Sequence, residues 1–353
     1  MTKKKSIEDF VLPSIAVITT ASPNAKVSTI NTYTRLLRKL YNKIEETLPE
    51  PNHYNKSSPI PNAIYKPDDI ISLLNKTEWG QTLKDVSRKN YISLILTMLR
   101  GLKENDNKIN KLYDDYRTYF DILKGGLDAE QIKQKPSDKE LDLKGLSIES
   151  LRKSLSFHSN KVRQKESNDI SSAMYNMMGH LHLDEALRNE ACDMVLSSAY
   201  IPVIDDPNVN FIWVKGRNMK LMVIRNNKVR NPARGDEPKE VWIKGSLNTA
   251  INKYIQVLKN SGEIENEKEM TVPLIHSKGF KLLKHITSSH YSQLFKNIWA
   301  HIDLELTTTM IRKVYAMSVR DKYKGNLIKE KEACEKLDHS KDTHDKHYIL
   351  NFD

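Results

Sequence analysis

The sequence predicts an α+β protein that is mainly α with a small antiparallel β-sheet. Apolar residues recur at helical spacing through most of the 353 residues, which favours helices that each bury one face. Three short runs, at 210–214, 220–225 and 240–244, are instead rich in β-branched and aromatic residues, and Gly, Asn, Pro and Arg separate them. These runs predict three antiparallel strands within an otherwise helical chain.

The composition favours a folded protein that binds a polyanion. Hydrophobic residues make up 39% of the chain, which is enough material for packed cores. Lys and Arg number 56 against 45 Asp and Glu, so the net charge is +11. A charge of this sign and size suits the phosphate backbone of nucleic acid, although a lysine-rich proteome would give a similar excess.

Several features favour an intracellular protein. The two cysteines, Cys192 and Cys334, are too few and too far apart for a disulfide framework or a short-spaced zinc motif. The apolar run from Phe10 to Ile18 is short, contains Pro13 and lacks the cleavage site of a signal peptide. No run approaches the length of a membrane span, so we expect no membrane partner.

The first predicted domain is helical and covers residues 23–125, after an extended arm at residues 1–22. A helix is expected over 28–44, where apolar residues form one face and basic residues much of the rest. Further helices are expected from Pro67 onward, over 92–99 and over 107–123. The basic residues of these helices are candidate contacts for DNA phosphates: Arg35, Arg38, Lys39, Arg88 and Lys89.

A linker is predicted at 126–145, where Pro136 and a dense mixture of charges follow two glycines. The second domain then covers 146–353 and contains the three strands. Its helices are expected over 184–200, 246–260, 277–299 and 307–323. The turn between the last two strands, 226–239, is basic and adds two candidate DNA contacts: Arg230 and Arg234.

The last forty-odd residues hold the most specific pattern of the chain. Arg312 lies on a helical run, a Leu-x-His-Ser frame follows at 337–340, and Tyr348 comes nine residues after His339. This order and spacing resembles the C-terminal half of the active site of the tyrosine recombinases, or phage integrases. The family pattern there is His-x-x-Arg, then Leu-Gly-His-Ser, then a nucleophilic tyrosine. Two shorter phrases, at 28–37 and 87–94, look similar to helices of the family's core-binding domain.

The chain departs from the family pattern at three positions. Thr309 stands where the family usually has its first histidine, and threonine donates one hydrogen bond but carries no charge. Asp338 replaces the usual glycine. The family's first arginine follows a helix and a turn before the sheet, but the turn expected here, 200–207, contains none. We favour Arg217, between the first two strands, with Arg188 as the alternative.

The resemblance implies cleavage of DNA without a metal or other cofactor, through a 3′-phosphotyrosine. Tyr348 would be the nucleophile, since tyrosine forms a phosphoester that keeps the bond available for rejoining. Arg312 and Arg217 would hold the phosphate, because a planar guanidinium donates two hydrogen bonds to it and stays charged. His339 would donate to the same phosphate. Lys239, just before the third strand, is the expected acid for the leaving 5′ oxygen.

The resemblance also implies the partners. The helical core-binding domain and the catalytic domain would clamp double-stranded DNA, and four copies of the chain would assemble on it to exchange strands. With only five residues after Tyr348, we expect a monomer in free solution. The many Lys, Asn and Ile residues suggest an AT-rich genome, such as that of a virus or mobile element.

Three alternatives remain open. A degenerate recombinase fold would bind DNA without cutting it, because the first arginine is uncertain and the family histidine is absent. A type IB topoisomerase-like enzyme would share the chemistry but act on any sequence. The His and Asp residues crowded at 338–347 would in a third case bind a metal, although their spacing follows no recognised metal motif.

Overall fold

The computed structural model divides the chain into two compact units, Met1–Lys133 and Gln134–Asp353. It is mostly helical with one small sheet, so the predicted α+β class is confirmed. None of the helices it describes combines the length and apolarity that crossing a bilayer requires. The described residues are 7–23, 25, 27–49, 60–102, 107–164, 169–200, 209–227, 236–275 and 286–352.

The first unit is helical, as predicted. Its described helices are α1 Glu8–Ala21, α2 Val27–Thr47, α3 Pro67–Lys76, α4 Glu78–Gln81, α5 Asp85–Gly101 and α6 Asn107–Ile132. Almost every side chain of α5 from Tyr91 to Leu99 is buried, because α1, α2 and α6 pack around it. The helices expected over 28–44, from Pro67, over 92–99 and over 107–123 are therefore confirmed as α2, α3, α5 and α6.

The extended arm predicted for residues 1–22 is wrong for 8–21, which form α1. Phe10 and Ile18 of this helix are buried in the core of the unit. Val17 lies so close to Gly101 of α5 that a side chain there would collide with it. Pro13 suggested a break in the apolar run, yet it lies within α1, where burial of the apolar face outweighs the missing backbone hydrogen bond.

The linker predicted at 126–145 is also wrong. Helix α6 continues to Ile132, and residues 138–143 form a 3₁₀ turn that belongs to the second unit. Leu143 of this turn is buried in the second core, and Glu140 forms an ion pair with Lys313. The charged residues there suggested a solvated connection, but Glu140 pairs with the second unit and Leu143 is buried in its core.

The second unit contains a single large core between helices and a sheet. Its described helices are α7 Ile148–Ser154, α8 Ser156–Gln164, α9 Ile170–Glu185, α10 Gly245–Asn260, α11 Ser288–Lys296, α12 Thr308–Lys322, α13 Leu327–Lys336 and α14 Lys341–His347. Helices α9 and α10 pack against each other across this core. The helices expected over 246–260 and 307–323 are confirmed as α10 and α12. Of the helix expected over 277–299, residues 277–285 lie outside the described residues, and α11 forms only part of the rest.

The helix predicted over 184–200 is wrong, because α9 ends at Glu185. Ala186 takes a left-handed backbone conformation, with φ of 47°, and this ends the helix. A 3₁₀ turn at Glu190–Asp193 follows, and then the first strand of the sheet. The chain therefore enters the sheet at Val195, fifteen residues before the first predicted strand at 210–214.

The sheet has five strands among the described residues, in the order β4-β3-β2-β1-β5. They are β1 Val195–Ser197, β2 Phe211–Gly216, β3 Met219–Ile224, β4 Lys239–Ile243 and β5 Thr271–Pro273. The predicted antiparallel strands are confirmed as β2, β3 and β4. The sequence did not predict β1 and β5, which have three residues each. Because β1 pairs parallel to β2, the sheet is mixed and not purely antiparallel.

Candidate active site

Arg312 is buried in α12 and connects three parts of the second unit. Its side chain lies inward because α12 buries its apolar face in the core, and the residue is only 2% exposed. Its Nη1 donates to the carbonyl of Ala186 at 2.5 Å, its Nη2 donates to the carbonyl of Leu337, and its Nε donates to the Tyr348 hydroxyl at 3.2 Å. Arg312 thus joins the end of α9, the end of α13 and the candidate nucleophile.

The Leu-Asp-His-Ser frame is the stop signal of α13. Asp338 has φ of 50°. Its N–H donates to the carbonyl of Glu335 at 3.2 Å, and the N–H of His339 donates to the carbonyl of Cys334 at 3.1 Å. This is a Schellman ending, which requires a left-handed residue. Glycine fits that conformation best, and Asp is among the few other residues that adopt it. The departure at Asp338 therefore keeps the backbone that the family glycine would provide.

Helix α14 begins directly after this turn and carries Tyr348 to the site. The Ser340 side chain accepts a hydrogen bond from the N–H of Thr343 and so caps α14. Tyr348 follows the last residue of α14 and is 8% exposed. Its ring lies 4.5 Å from the ring of His339, and the guanidinium of Arg312 lies over it at 5.1 Å. The three residues that carry the sequence motif are therefore brought together.

A second arginine, Arg188, acts on the same tyrosine. Burial opposes ionisation of Tyr348, but the charge and hydrogen bond of Arg312 and the charge and hydrogen bonding of Arg188 outweigh it. Together they hold the pKa of Tyr348 below its ordinary value. The Nη1 atom of Arg188 is buried and has no hydrogen-bond partner among the described residues. Glu190, at 3.9 Å, is a distant counter-ion for it.

Arg217, which the sequence favours as the first arginine, and Arg188, the alternative, lie in different parts of the second unit. Arg217 lies in the β2–β3 hairpin, where its carbonyl accepts hydrogen bonds from Lys220 at 2.7 Å and from Asn252 at 2.9 Å. Arg188 lies just after the left-handed Ala186, and its charge helps to lower the pKa of Tyr348. Strand β1 was not predicted. The segment before the sheet is 186–194, and residues 201–207 of the expected turn lie outside the described residues.

His339 contacts a second imidazole. Its Nε2 lies 3.0 Å from Nδ1 of His344, and its own Nδ1 is buried without a hydrogen-bond partner among the described residues. Burial first, and then the charges of His344, Arg312 and Arg188, lower the pKa of His339 to about 3. At neutral pH, His339 is thus an uncharged ring that can donate one N–H and accept at its other nitrogen.

Lys239 lies beside the site but is tied to the turn that carries His339. Its Nζ donates to the carbonyl of Lys336 at 3.1 Å and lies 3.5 Å from a carboxylate oxygen of Asp338. Asn227 donates to the other carboxylate oxygen at 3.1 Å. Asp338 stands where the family pattern has glycine. Its carboxylate therefore holds Lys239, the expected general acid, beside the turn that carries His339.

Strand β1 also changes which turn separates the second and third strands. Counted from β1, that turn is the β2–β3 hairpin, with Lys215 before it and Lys220 after it. Lys220 is fully buried, and the side-chain oxygens of Asn248 and Asn252 accept from its Nζ at 2.7 and 2.6 Å. Lys215 is exposed and lies near the Trp213 ring. The sequence pattern did not indicate Lys215, and its described contact is with Trp213 and not with the residues around Tyr348.

Thr309 does not point into the core with Arg312. It is exposed on the first turn of α12, while its neighbour Thr308 is buried and donates to Oδ1 of Asn189 at 3.0 Å. Asn189 directly follows Arg188. Thr308 therefore steadies the segment that carries the second arginine, a contact that the spacing to Arg312 could not reveal.

The candidate DNA contacts of the first unit differ in how they are used. Arg35 and Lys39 are exposed on α2, whereas Arg38 forms a bidentate ion pair with Glu8 of α1 at 2.6 and 3.0 Å. These three residues share the solvent side of α2, and Arg35 and Lys39 have no ion pair among the described residues.

Arg88 is mainly a structural residue. Its guanidinium donates to the carbonyls of Leu74 and Gly80, both at 3.1 Å, and pairs with Asp85 at 2.7 Å. Because these bonds satisfy the ends of α3 and α4, Arg88 is not available as a phosphate contact without disrupting them. Lys89 beside it is half-buried. The two remaining candidates, Arg230 and Arg234, lie outside the described residues.

Comparisons with family models, with curated proteins and with solved structures give no match for this chain. Its function is therefore inferred from the side chains of the site.

Proposed function

We propose that this protein cuts and rejoins DNA through a covalent bond to Tyr348, as a site-specific recombinase or integrase does. The observation that carries the proposal is the hydrogen bond from the buried Arg312 to the Tyr348 hydroxyl at 3.2 Å, beside the ring of His339. The charge of Arg188 acts on both Arg312 and Tyr348. Two guanidinium groups repel each other, and the repulsion grows as they are buried. An anion between them, such as a DNA phosphate, offsets that repulsion and supplies acceptors for their remaining N–H groups.

The proposed step is an exchange of phosphoesters. The Tyr348 oxygen attacks phosphorus, a bond from phosphorus to that oxygen forms, and the bond from phosphorus to the 5′ oxygen breaks. The tyrosine proton passes to water, and the leaving 5′ oxygen takes a proton from Lys239. The arginines stabilise charge on the non-bridging oxygens. Attack by a 5′ hydroxyl reverses the step, so no external energy source is needed.

The second candidate function is binding of DNA without cleavage. In the DNA-free structure, Arg312 uses three of its N–H groups on Ala186, Leu337 and Tyr348, which leaves about two of the five that a guanidinium offers. Lys239 is likewise engaged by Asp338. These contacts favour a site that must rearrange before it cuts, and a protein that never makes this rearrangement would only bind.

The partners follow from the same proposal. Double-stranded DNA is the substrate, and the net charge of +11 supports contact with its backbone. Strand exchange between two duplexes needs four active sites, so assembly of four copies on DNA is part of the recombinase proposal. A topoisomerase-like enzyme would need only one copy.

Covalent capture tests the proposal without knowledge of the target site. The protein is incubated with supercoiled plasmids that carry random inserts, the mixture is denatured, and protein-linked DNA is isolated and sequenced at the attachment point. Adducts at a shared sequence support a recombinase, and adducts at all sequences with plasmid relaxation support a topoisomerase. If the protein binds DNA but forms no adducts, the cleavage proposal is wrong and the second candidate function, binding without cleavage, is supported. Tyr323→Phe, a change at another tyrosine of the same unit, is the matched control.

A further inference from the structure

Three side chains next to the candidate active site offer metal ligands. Cys334 lies near the end of α13, His339 follows the Schellman turn, and His344 lies in α14. The sulfur atom and one ring nitrogen from each histidine all lie within 4.8 Å of one another. The spacing of these residues in the sequence matches no recognised metal motif. They come together because the left-handed turn at Asp338 folds α14 back toward α13.

The ligand types and their separation fit a tetrahedral cation of the zinc class. Thiolate and imidazole are the usual ligands of Zn²⁺, at about 2.0–2.3 Å, which puts two donors of one tetrahedron about 3.3–3.7 Å apart. The two imidazole nitrogens are now 3.0 Å apart, so they need to separate by only a few tenths of an ångström. Such a shift is within the freedom of side-chain rotation.

The surroundings also favour a cation. Cys334 and His344 are buried, while His339 is partly exposed, which leaves an approach from one side. The negative charges of Asp345 and Glu330 raise the pKa of both Cys334 and His344. Lys341 forms an ion pair with Glu330. A water would complete four ligands. Calcium and magnesium do not fit, since they prefer oxygen ligands throughout.

We propose that Cys334, His339 and His344 form a zinc-type metal site that joins α13 to α14 and fixes the tautomer of His339. On binding, the Cys334 thiol releases its proton to solvent and a metal–sulfur bond forms, with no change in oxidation state. The metal takes Nε2 of His339 in place of the bond to His344, so the ring proton stays on Nδ1. This is the buried nitrogen without a described partner, and it becomes a fixed donor.

This tautomer gives the metal a role in the proposed DNA cleavage, and that part of the inference rests on the proposed function. A ring whose proton is held on Nδ1 presents one donor permanently, whereas the His339–His344 pair shares its protons between two arrangements. The binding of the metal itself does not depend on any reaction with DNA.

Titration of the DNA-free protein with cobalt(II) tests the site directly. Cobalt(II) gives a thiolate charge-transfer band and intense visible bands when it is tetrahedral. We expect one equivalent to produce both bands and zinc to displace it. Cys334→Ala should remove the thiolate band, and His344→Asn should weaken binding at least about tenfold. Cys192→Ala, a change at the other cysteine, should bind like the wild type. Absence of the thiolate band in the wild type would overturn the proposal.

Two further measurements separate this proposal from the proposed function. With zinc bound, nitrogen NMR of the His339 ring should show the metal on Nε2 and the proton on Nδ1, and the opposite assignment would overturn the tautomer claim. In the capture assay, a chelator should lower adduct formation by the wild type but leave the Cys334→Ala protein unaffected. If no protein forms adducts while the cobalt bands appear, the proposed function fails and the metal site stands. If the Cys334→Ala protein does not fold, judged by circular dichroism, His344→Asn replaces it.

Discussion

The Nε of Arg312 donates a hydrogen bond to the hydroxyl of Tyr348 at 3.2 Å. The two residues come from different helical segments, and both are buried. A charged donor held against a phenol oxygen stabilises the phenolate more than the phenol, which is why the pKa of Tyr348 falls despite burial. The contact therefore activates the group that the proposed reaction uses as its nucleophile.

Replacement of Tyr348 by Phe should abolish covalent DNA adducts and leave DNA affinity nearly unchanged. Phenylalanine keeps the buried ring and removes the attacking oxygen. Loss of the bond to Arg312 should reduce the free energy of unfolding by only about 1 kcal/mol. Adduct yield, filter binding and urea unfolding measure the three quantities. Adducts that persist in this variant would place the nucleophile at another residue.

Replacement of Arg188 by Ala should slow adduct formation by roughly two to three orders of magnitude, the effect of losing one transition-state donor. Arg188→Lys should restore little of the rate, because an ammonium cannot make the bidentate contact. Arg217→Ala is the matched control and should keep nearly the wild-type rate, because Arg217 lies in the β2–β3 hairpin. The reverse ranking of the two alanine variants would return the role to Arg217.

The basic face of α2 should contribute to the salt dependence of DNA binding. Each lost phosphate contact lowers the slope of log affinity against log salt by about 0.9. Arg35→Ala and Lys39→Ala should each lower the slope by this amount. Arg88→Ala should leave the slope unchanged and reduce stability, because Arg88 binds the carbonyls of Leu74 and Gly80. Fluorescence anisotropy at several salt concentrations measures the slopes, and equal slopes for all variants would exclude α2 from the interface.

Stability should fall in acid partly because of His182. Burial is the main cause that lowers the pKa of His182 to about 3 in the folded protein, whereas a histidine in the unfolded chain titrates near 6.5. Below about pH 6.5 the unfolded state binds a proton that the folded state excludes, so this contribution is complete above that pH and is lost as the pH falls toward 3. The loss is at most about 1.4 kcal/mol per pH unit.

His182→Gln should therefore show a shallower fall in the free energy of unfolding between pH 7 and pH 5 than the wild type. Tyr291→Phe is the control, since it removes the hydroxyl that bonds to His182 but keeps the imidazole, and its acid dependence should remain. Urea unfolding at several pH values measures both. Identical slopes for the wild type and the glutamine variant would show that His182 does not titrate as described.

The backbone at Asp338 provides a test that is independent of DNA. Asp338→Ala should reduce the free energy of unfolding by roughly 1–2 kcal/mol, because a left-handed conformation is unfavourable for alanine. Asp338→Gly should be more stable than the alanine variant, because glycine adopts φ of 50° without strain. Both variants remove the carboxylate that pairs with Lys239, so their difference isolates the backbone effect. Equal stability of the two would show that the turn is not held in this conformation.

The site could be predicted where its residues are close in sequence. Arg312, His339 and Tyr348 lie within forty residues, and their spacing is set by α12, α13, α14 and the two short turns between these helices. Arg188 could not be selected, because its position depends on where α9 ends, and the apolar pattern continued through the left-handed Ala186. Strand β1 was missed for a related reason: three residues are too few to show alternation, and their burial comes from pairing with distant β2.

The fold shows the same division between local and distant causes. Long helices with one apolar face, such as α2 and α10, were predicted because periodicity is a local property. Helix α1 was missed because Pro13 suggested a break, whereas packing against α5 holds the helix across it. The predicted linker at 126–145 failed because charged residues there pair with a segment far along the chain, as Glu140 does with Lys313.

The three bonds of Arg312 bear on how the protein can diverge in evolution. Its guanidinium satisfies the carbonyls that end α9 and α13 as well as the tyrosine, and a lysine cannot reach acceptors in three directions at once. Selection for folding alone should therefore retain this arginine, whether or not the protein cuts DNA as proposed. The Tyr348 oxygen accepts only one of these three bonds, and phenylalanine would fill the same space as its ring. Under the proposed function, we expect the hydroxyl at position 348, and not the arginine at 312, to distinguish relatives that cut DNA from relatives that do not.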